Sequence, residues 1–240
     1  MLMQVSIFIP FYNEDEGVEN LKKQLTPVLQ KLISLNFDYE VILLDDGSTD
    51  STWSRLNNLF GEEKWVLLLK HHTNKGLGDG MKKAIARAKG DFFAALDSDC
   101  TYSPSILIPM LRQLLKEKAS VITASPYHPK GRVVGLPLYR LIPSFTASWI
   151  YRFFSKEKIH TFTSMVRIYK TDDLKKLNFE SEGFLVFAEI LLKLLLQGKI
   201  VVEYPTTLSV RKFNKSKMRL FKVTLDHLGL MYKLATRRLV

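Results

Sequence analysis

Short apolar runs alternate with amphipathic stretches along the first hundred residues of this chain. Four runs rich in β-branched and aromatic residues predict buried strands, at residues 4–10, 39–44, 65–69 and 92–96. Between the first two runs, apolar residues recur at helical spacing, at Val18, Leu21, Leu25, Val28, Leu29 and Leu32. Residues 81–89 predict a further helix. This alternation, with continuously apolar strands, predicts a mostly parallel, doubly wound sheet flanked by helices.

The second half of the chain adds three helical or apolar stretches. Residues 186–197 predict a helix. Residues 133–154 are apolar and aromatic, are interrupted by Pro137 and Pro143, and have basic residues on both flanks. Residues 218–240 predict an amphipathic helix with a broad apolar arc and a charged stripe. That arc suits either the lipid interface or docking on the protein's own sheet, and both remain open.

Composition is consistent with a folded domain, because 240 residues of which 46% are hydrophobic can bury a large core. The single cysteine, Cys100, excludes an internal disulfide and fits a reducing compartment. Residues 1–13 lack the basic start of a signal peptide, and no uncharged run reaches the roughly 18 to 20 residues of a membrane-spanning helix. We therefore expect a soluble or peripheral protein.

The charge is distributed unevenly. Residues 1–100 carry 11 Lys and Arg against 15 Asp and Glu, a net −4, whereas residues 101–240 carry 24 against 9, a net +15. An acidic half suits a cation, and a basic half suits an anionic partner such as a lipid head group, a phosphate or a nucleic acid.

Asp97 and Asp99 are the main candidates for chemistry. They directly follow the strand at residues 92–96, so they should emerge at the carboxyl edge of the sheet, where ligands bind in open α/β folds. Paired carboxylates there suit Mg²⁺ or Mn²⁺ held together with substrate phosphates, although such pairs also occur in ordinary turns. The glycines at 76, 78 and 80 follow the third strand and lack the spacing of a dinucleotide fingerprint, so they indicate flexible backbone near a ligand instead.

Four motifs in order resemble glycosyltransferase family 2, which has the GT-A fold. They are Phe-Ile-Pro-Phe-Tyr-Asn-Glu at 8–14, Leu-Asp-Asp-Gly-Ser-Thr-Asp-Ser-Thr at 44–52, Asn-Lys-Gly-Leu-Gly at 74–78 and Ala-Lys-Gly-Asp-Phe-Phe-Ala-Ala-Leu-Asp-Ser-Asp at 88–99. Within the family, the chain is most similar to the dolichol-phosphate mannose synthase and polyprenyl-phosphate glycosyltransferase group. The resemblance implies a GT-A domain over 1–215, with a nucleotide-binding half at 1–100 and an acceptor half at 101–215, followed by an amphipathic helix at 216–240.

The resemblance also implies roles for individual residues. Asp97 and Asp99 would act in catalysis and hold Mg²⁺ or Mn²⁺ against the donor's diphosphate, whose developing charge must be neutralised as it leaves. The residues expected to bind the nucleotide sugar, a GDP- or UDP-hexose, are Pro10, Tyr12, Glu14, Asp45, Asp46, Arg211 and Lys217. For Arg211 and Lys217, a solvated loop is an alternative.

The acceptor decides whether a base is needed. A sugar hydroxyl must lose its proton as it attacks, and Glu189 is the candidate catalytic base; its alternative role is an ion pair with Lys193 four residues on. A polyprenyl phosphate already carries an oxyanion and needs no base. The group's arginine that meets the lipid phosphate is absent from Ala124-Ser125-Pro126-Tyr127, and Arg132 or Arg140 is the expected substitute.

We therefore expect inverting, metal-dependent transfer of a hexose to a polyprenyl phosphate at the membrane surface, by a cytoplasmic protein peripheral to the inner face. One alternative is transfer to a hydroxyl of a glycan or glycolipid. Another is a non-catalytic basic binding module. Nucleic acid is not an expected partner, because the basic residues are not interleaved with a recognisable reading element, and the sequence leaves the oligomeric state open.

Overall fold

The computed structural model describes residues 2–136, 138–209, 220–236 and 239, and of residues 138–140 and 220–225 it describes the backbone alone. The strands are β1 (Met3–Phe11), β2 (Phe37–Asp45), β3 (Val66–Lys70), β4 (Phe92–Ala95), β5 (Val121–Ser125), β6 (Arg132–Val133), β7 (Arg167–Lys170), β8 (Val201–Pro205) and β9 (Thr207–Leu208). The α-helices are α1 (Val18–Ser34), α2 (Thr52–Phe60), α3 (Leu77–Arg87), α4 (Leu107–Lys116), α5 (Leu138–Ser155), α6 (Thr171–Lys175), α7 (Leu185–Leu196) and α8 (Leu220–Ala235).

Within the described residues, seven strands form one sheet in the order β3-β2-β1-β4-β7-β5-β8. Neighbouring strands run parallel except at β7, which is antiparallel to both β4 and β5. The mostly parallel sheet expected from the sequence is confirmed. The antiparallel strand between two parallel halves was not predicted, because residues 167–170 carry no periodic signal of their own.

Helices cover both faces of this sheet, and alternate residues of each strand point to opposite sides. Along β1, Val5, Ile7 and Ile9 pack with α1, α2 and α4, whereas Phe8 packs with α3, α5 and α7. The six apolar residues predicted on one side of the first helix are all buried in α1. Burial on both faces explains why the strands are continuously apolar rather than alternating.

The C-terminal helix α8 docks on the protein. Its residues Leu230, Met231 and Leu234 are buried in the core that contains α5 and α7, so this part of its apolar arc packs on neighbouring helices, whereas Leu228 and Tyr232 are exposed. The sequence had left open whether this arc meets lipid or protein. None of the helices in the described part of the chain is both long enough and apolar enough to cross a bilayer.

Candidate active site

Three strands bring their carboxyl ends together at one edge of the sheet. Phe11 at the end of β1 is the register partner of Asp45 at the end of β2, and Asp46 N donates to Phe11 O at 2.8 Å. On the other side of β1, the last register pair with β4 is Phe8 with Ala95, and Leu96 N donates to Phe8 O at 2.9 Å. Asp97 therefore lies just beyond the carboxyl end of β4. The carboxylates predicted from separate motifs therefore lie along neighbouring strand ends.

The loops after β1 and β2 are fastened to each other. Asn13 has a positive φ of 52°, and its Oδ1 accepts from Thr49 N at 2.7 Å. In return, Asn13 N donates to Ser48 Oγ at 2.9 Å, and the next residue, Glu14, donates its N–H to Thr52 Oγ1 at 2.8 Å. Pro10 and Glu14 are buried in this arrangement, and Tyr12 is exposed. The predicted nucleotide-binding residues of both loops thus form one rigid rim.

Asp45 is held with one carboxylate oxygen unused. Its Oδ1 accepts from Ser48 N at 3.0 Å, which turns the chain sharply at Gly47. Its Oδ2 is buried and has no hydrogen-bond partner among the described residues, and the residue as a whole is 0% exposed. A buried carboxylate oxygen without a partner is costly, so its position at the ligand edge indicates that a ligand donor completes it.

Asp46 differs, because its carboxylate is fully used by the protein. Oδ1 contacts His71 Nδ1 at 2.7 Å and accepts from Lys75 N at 2.9 Å, and Oδ2 accepts from Gly76 N at 2.9 Å. On its other side, His71 Nε2 lies 3.2 Å from Asp79 Oδ2. Asp46 therefore orders the glycine loop at the start of α3. Both of its carboxylate oxygens already accept hydrogen bonds from the protein, and its contact with the nucleotide stays a prediction.

The adjacent Gly47 cannot carry a side chain. Its φ is +72°, and a Cβ would lie 2.4 Å from the carbonyl carbon of Thr73. The loop after β2 is thus pressed against the loop after β3, which brings the motif at 74–78 to the same edge of the sheet.

Asp97 and Asp99 are half-buried at the end of β4. Asp99 Oδ1 accepts from Thr101 N at 3.0 Å, and Cys100, between Asp99 and Thr101, has a positive φ of 54°. Asp99 therefore lies on a tight turn. In the described part of the chain, no group of three or more His, Cys, Asp or Glu residues is arranged to hold a metal. Two carboxylates are what Mg²⁺ or Mn²⁺ uses when a diphosphate supplies further oxygens, so the pair fits such an ion.

Two tyrosines follow Asp97 in the chain, Tyr102 and Tyr127. Burial raises the pKa of the Tyr102 phenol, and the nearby negative charge of Asp97 raises it further. Tyr127, just after β5, contributes to the same increase, and burial raises its own pKa although a hydrogen bond with Ser144 opposes the change. Tyr102 therefore lies close enough to Asp97 and to Tyr127 for each to influence its ionisation.

Glu189 on α7 is a buried anchor for a loop. Its carboxylate accepts from Glu180 N at 3.1 Å and from Ser181 N at 2.7 Å, and Lys193 Nζ lies 3.1 Å from it. Burial opposes its ionisation, but the hydrogen bonds from Ser181, Lys193 and Glu180 outweigh this and hold its pKa below the usual value. This geometry supports the alternative role of Glu189, the ion pair with Lys193, and a low pKa does not suit a general base.

The anchored loop reaches the glycine motif. A Cβ on Gly78 would lie 2.1 Å from Ser181 O, and one on Gly76 would lie 3.4 Å from Gly183 N. Close packing with residues 181–183 therefore explains why glycine stands at 76 and 78, and the flexible backbone near a ligand stays a prediction. Asp46 from one side and Glu189 from the other fix the two segments that meet here.

Sequence reasoning missed two residues that build the site. His71, which contacts Asp46 through Nδ1, could have been found from its place at the end of the third predicted strand, at the same sheet edge. Arg167 is 0% exposed and donates to Thr123 Oγ1 at 3.0 Å, to Phe162 O at 2.5 Å and to Phe187 O. It ties β7, β5 and the start of α7 together, and no local pattern marks an arginine for complete burial.

The remaining predicted residues are less constrained. Arg132 is exposed on β6, where its N–H pairs with Thr206 O at 2.9 Å. Arg140 lies in α5, in the part whose side chains are not described. Arg211 and Lys217 lie outside the described residues, and the last described residue before them, Ser209, donates its N–H to Thr101 O at 3.1 Å.

Comparison with known proteins gives a family match and several relatives. Residues 6–177 match the family described as Glycosyl transferase family 2. The chain is 30% identical over 237 residues to the dolichol-phosphate mannosyltransferase of Pyrococcus furiosus, and this covers 97% of the chain and 64% of that protein. It is 26% identical to the dodecaprenyl-phosphate galacturonate synthase of Rhizobium johnstonii, with coverage of 96% and 67%. It is 27% identical to the undecaprenyl-phosphate mannosyltransferase of Micrococcus luteus, with coverage of 90% and 88%.

The fold is also that of a solved glycosyltransferase. Glucosyl-3-phosphoglycerate synthase from Mycobacterium tuberculosis, in complex with Mn²⁺ and UDP-glucose, superposes with a TM-score of 0.69 at 17% identity, covering 98% of this chain and 79% of that one. The same protein has been crystallised with Mg²⁺ and UDP. The likeness establishes the GT-A fold of the present chain.

Proposed function

The chain belongs to glycosyltransferase family 2, and from this premise we propose that it transfers a hexose from a nucleotide sugar to a polyprenyl phosphate, with a divalent metal and with inversion at the sugar. The observation that carries the proposal is a shared acceptor among relatives. The three named relatives are named for two different sugars, yet each is named for a dolichol or other polyprenyl phosphate. The chain covers 64% of the first of them, so this is a proposal about its own glycosyltransferase domain.

The donor would bind at the carboxyl edge of β1, β2 and β4. Asp45 Oδ2 supplies a buried acceptor for a nucleotide N–H or hydroxyl, and Pro10, Tyr12 and Glu14 form the adjoining rim. Asp46 would act mainly by holding the loop at 71–76 in place. Arg211 and Lys217 remain predicted contacts to the donor phosphates.

Asp97 and Asp99 would hold Mg²⁺ or Mn²⁺ together with the donor's diphosphate, as their half-buried carboxylates allow. A divalent ion there supplies positive charge that stabilises the leaving nucleoside diphosphate. Asp99 is oriented for this by its hydrogen bond from Thr101 N at 3.0 Å.

The acceptor would be a phosphate oxyanion, which attacks the anomeric carbon directly. A phosphate monoester has a second pKa near 6, so no residue needs to remove a proton at pH 7. The engaged carboxylate of Glu189 favours this acceptor over a sugar hydroxyl, which would require a free base. A single displacement inverts the configuration at the sugar. Arg132 and Arg140 remain the predicted contacts to the acceptor phosphate.

We place the reaction at the inner, cytoplasmic face of a membrane. That leaflet carries anionic lipids, and each nearby Lys or Arg contributes about 1 kcal/mol to its attraction. The net charge of +15 over residues 101–240 supports this assignment.

A donor screen tests the proposal. Purified protein is incubated with GDP- and UDP-hexoses, a short-chain polyprenyl phosphate and Mg²⁺ or Mn²⁺, and lipid-linked sugar is measured. We expect transfer with one donor class, its loss on chelation of the metal, and a loss of at least about a hundredfold in Asp99→Ala.

Asp91→Ala is the matched control, because Asp91 is an exposed carboxylate at the opposite, amino end of β4. Sugar transfer to a glycan hydroxyl but not to any polyprenyl phosphate would contradict the acceptor. Folded protein that neither transfers nor hydrolyses any nucleotide sugar would favour a non-catalytic binding module.

A further inference from the structure

Two histidines, His128 and His160, pack against each other near the carboxyl end of β5. Their ring centroids lie 5.3 Å apart with the ring planes at 73°, which is an edge-on arrangement. His128 comes three residues after β5, and the hydroxyl of Thr161, next to His160, bonds to the Ser125 hydroxyl at 2.7 Å. Both histidines are half-buried, so each keeps a surface that a ligand can reach.

A buried carboxylate holds His160 in place. Glu203 on β8 has only 6% of its side chain exposed, and its Oε1 accepts from His160 N at 2.9 Å and from Thr161 N at 3.0 Å. Its Oε2 lies 2.7 Å from His160 Nδ1. An ionised carboxylate only accepts, so Nδ1 carries the proton of this contact and the ring has one orientation. His160 therefore offers His128 a fixed surface to pack on.

A tight turn over residues 128–131 fixes His128 itself. Gly131 N donates to His128 O at 2.7 Å, and Lys130 N donates to His128 Nδ1 at 3.1 Å. A Cβ on Gly131 would lie 2.5 Å from Ser125 O, so the turn is folded against the end of β5. Because Nδ1 accepts, the neutral ring carries its proton on Nε2, which bonds to no other group in the described part of the chain. This N–H is available to a ligand.

The turn lies at the same edge of the sheet as Asp97 and Asp99. β5 is antiparallel to β7, and β7 is antiparallel to β4, so β4 and β5 run in the same direction and end at one edge. Only β7 separates them, and two strand spacings amount to about 10 Å. This gap leaves room for a hexose between a diphosphate at the two aspartates and an anion at the end of β5.

The charge around His128 is positive. Residues 118–156 contain no Asp or Glu, and Lys130 and Arg132, both exposed, follow His128 within four residues. The carboxylate of Glu203 is already engaged by three donors from residues 160 and 161. A phosphate suits this place, because its oxygens accept from an N–H and its charge is complementary to the neighbouring cations.

From these observations we infer that His128 donates through Nε2 to the phosphate of the acceptor, and that His160 and Glu203 are positioning residues that hold its ring. This role rests on the proposed function, which supplies an acceptor with a phosphate. His128 binds and orients that phosphate and removes no proton. It also favours a lipid phosphate over the corresponding lipid alcohol, because only the phosphate forms a charge-assisted hydrogen bond with it.

Binding of soluble probes to the full chain, without a donor, tests the contact. Titration calorimetry compares geranyl phosphate, geraniol and inorganic phosphate. We expect geranyl phosphate to bind most tightly, and its affinity to fall about tenfold to a hundredfold in His128→Phe, which keeps a ring against His160 but has no N–H. His128→Arg restores a donor and should retain most of the affinity. The matched control, His72→Phe at an exposed position, should bind as the parent does.

Kinetics tests the two positioning residues. His160→Phe keeps the packing surface but loses the bond to Glu203, and Glu203→Gln replaces one of the two accepting oxygens by an amide nitrogen. We expect each change to raise the KM of the acceptor about threefold to tenfold, while the KM of the donor and kcat at saturating acceptor stay within about twofold. A purely structural role would lower kcat and the free energy of unfolding without this split. Glu62→Gln, at an exposed position, should leave all of these quantities unchanged.

Three binding results would overturn the inference. The first is equal affinity of the parent and His128→Phe for geranyl phosphate. The second is equal affinity of the parent for geraniol and geranyl phosphate. The third is inorganic phosphate that binds as tightly as geranyl phosphate and depends on His128 in the same way, which would assign the site to free phosphate instead of the acceptor.

Activity separates this inference from the proposed function. Transfer to a polyprenyl phosphate with a parental acceptor KM in His128→Phe would overturn the inference and leave the proposed function intact. Binding of geranyl phosphate that depends on His128, in a protein that transfers no sugar to any polyprenyl phosphate, would overturn the proposed function and support the phosphate contact.

Discussion

Two adjacent aspartates at the end of β2 illustrate how position decides the use of a residue. The carboxylate of Asp46 contacts His71 Nδ1 and accepts hydrogen bonds from two backbone N–H groups of the glycine loop. Asp45 gives one oxygen to Ser48 N and keeps the other buried without a partner among the described residues. The two residues are of the same type and adjacent in the sequence, yet Asp46 maintains the fold and Asp45 keeps an oxygen available to a ligand.

Substituting each of the two aspartates by asparagine should separate these roles. In Asp45→Asn, we expect donor binding to weaken about tenfold to a hundredfold, because a charged hydrogen bond is worth about 1.5 to 3 kcal/mol. The free energy of unfolding without ligand should change little, since the lost oxygen has no partner. Titration calorimetry and urea unfolding measure the two quantities.

The matched change, Asp46→Asn, should behave in the opposite way. The amide keeps one acceptor oxygen and replaces the other by NH2, so at least one of the three donors, the Gly76 N–H or the pair of His71 and Lys75, loses its acceptor. The free energy of unfolding should fall by about 1 to 3 kcal/mol. A loss of stability in Asp45→Asn as large as in Asp46→Asn would show that Asp45 is structural as well.

Glu189 provides a second test at the residue scale. We expect Glu189→Gln to lower the free energy of unfolding, because an amide cannot accept from both backbone N–H groups and from Lys193 as the carboxylate does. Turnover should fall by less than about tenfold, whereas loss of a general base costs about a hundredfold to ten thousandfold. A larger loss at unchanged stability and unchanged donor affinity would restore the catalytic role and the hydroxyl acceptor. Rate and unfolding measurements on the same samples decide between the two.

At the scale of elements, the start of α3 depends on the loop that Glu189 anchors. Gly78→Ala would place a Cβ 2.1 Å from Ser181 O, which is backbone and cannot move aside cheaply. We expect a loss of about 1 to 3 kcal/mol in the free energy of unfolding, together with weaker donor binding. Circular dichroism during urea unfolding measures the first effect.

Gly229 on α8 is the matched control, since a Cβ there would meet nothing within 4 Å. Gly229→Ala should stabilise the protein by about 0.5 to 1 kcal/mol, because alanine loses less backbone entropy in a helix. If Gly78→Ala were equally stabilising, the close contact between α3 and residues 181–183 would be wrong.

The contact between α5 and α8 should make stability depend on pH. Burial lowers the pKa of His227 to about 4, against a smaller opposing effect of Asp226. The neutral ring accepts from the Tyr151 hydroxyl at Nδ1. The unfolded chain binds a proton near pH 6.5 and the folded chain only near 4, so stability is present above about pH 6.5 and is lost as the pH falls towards 4.

Between pH 7 and pH 5, this histidine should contribute a loss of up to about 2 kcal/mol in the free energy of unfolding. Urea unfolding at both pH values should show that His227→Gln removes this part of the dependence. His72→Gln, at an exposed position, should leave it unchanged. An identical pH dependence in the parent and in His227→Gln would contradict the buried neutral ring.

At the scale of the whole molecule, ligand binding should be visible as global stabilisation. A nucleoside diphosphate with Mn²⁺ at a hundred times its dissociation constant should add about 2.7 kcal/mol to the free energy of unfolding. For a chain of this size, that corresponds to a rise in Tm of about 5 to 10 °C. Thermal unfolding with GDP and UDP would identify the base, and chelation of the metal or Asp99→Ala should abolish the shift. A shift that persists in both cases would contradict the role of the carboxylate pair.

The charge asymmetry of the sequence corresponds to a division of the fold. Residues 1–100, which are net acidic, build β1 to β4 and α1 to α3, and residues 101–240, which are net basic, build β5 to β9 and α4 to α8. A cation and an anionic surface are thus each expected on the side with complementary charge.

The sequence alone determined the local structure and the place of the chemistry. The helical spacing of Val18 to Leu32 predicted the buried side of α1, and the runs before Asp45 and Asp97 predicted the strands whose ends carry these carboxylates. These inferences succeed because side-chain periodicity and strand polarity are local properties, and because parallel strands bring their carboxyl ends to one edge.

Tertiary structure alone decided which of these groups remain available. The antiparallel insertion of β7, the burial of Arg167 and the docking of α8 arise from contacts between segments distant in the chain. The same contacts satisfy Asp46 and Glu189 while leaving Asp45 Oδ2 open, and they turn the aromatic side of α5 outward. A residue's type states which bonds it can form, and only the packed fold determines which of them are already made.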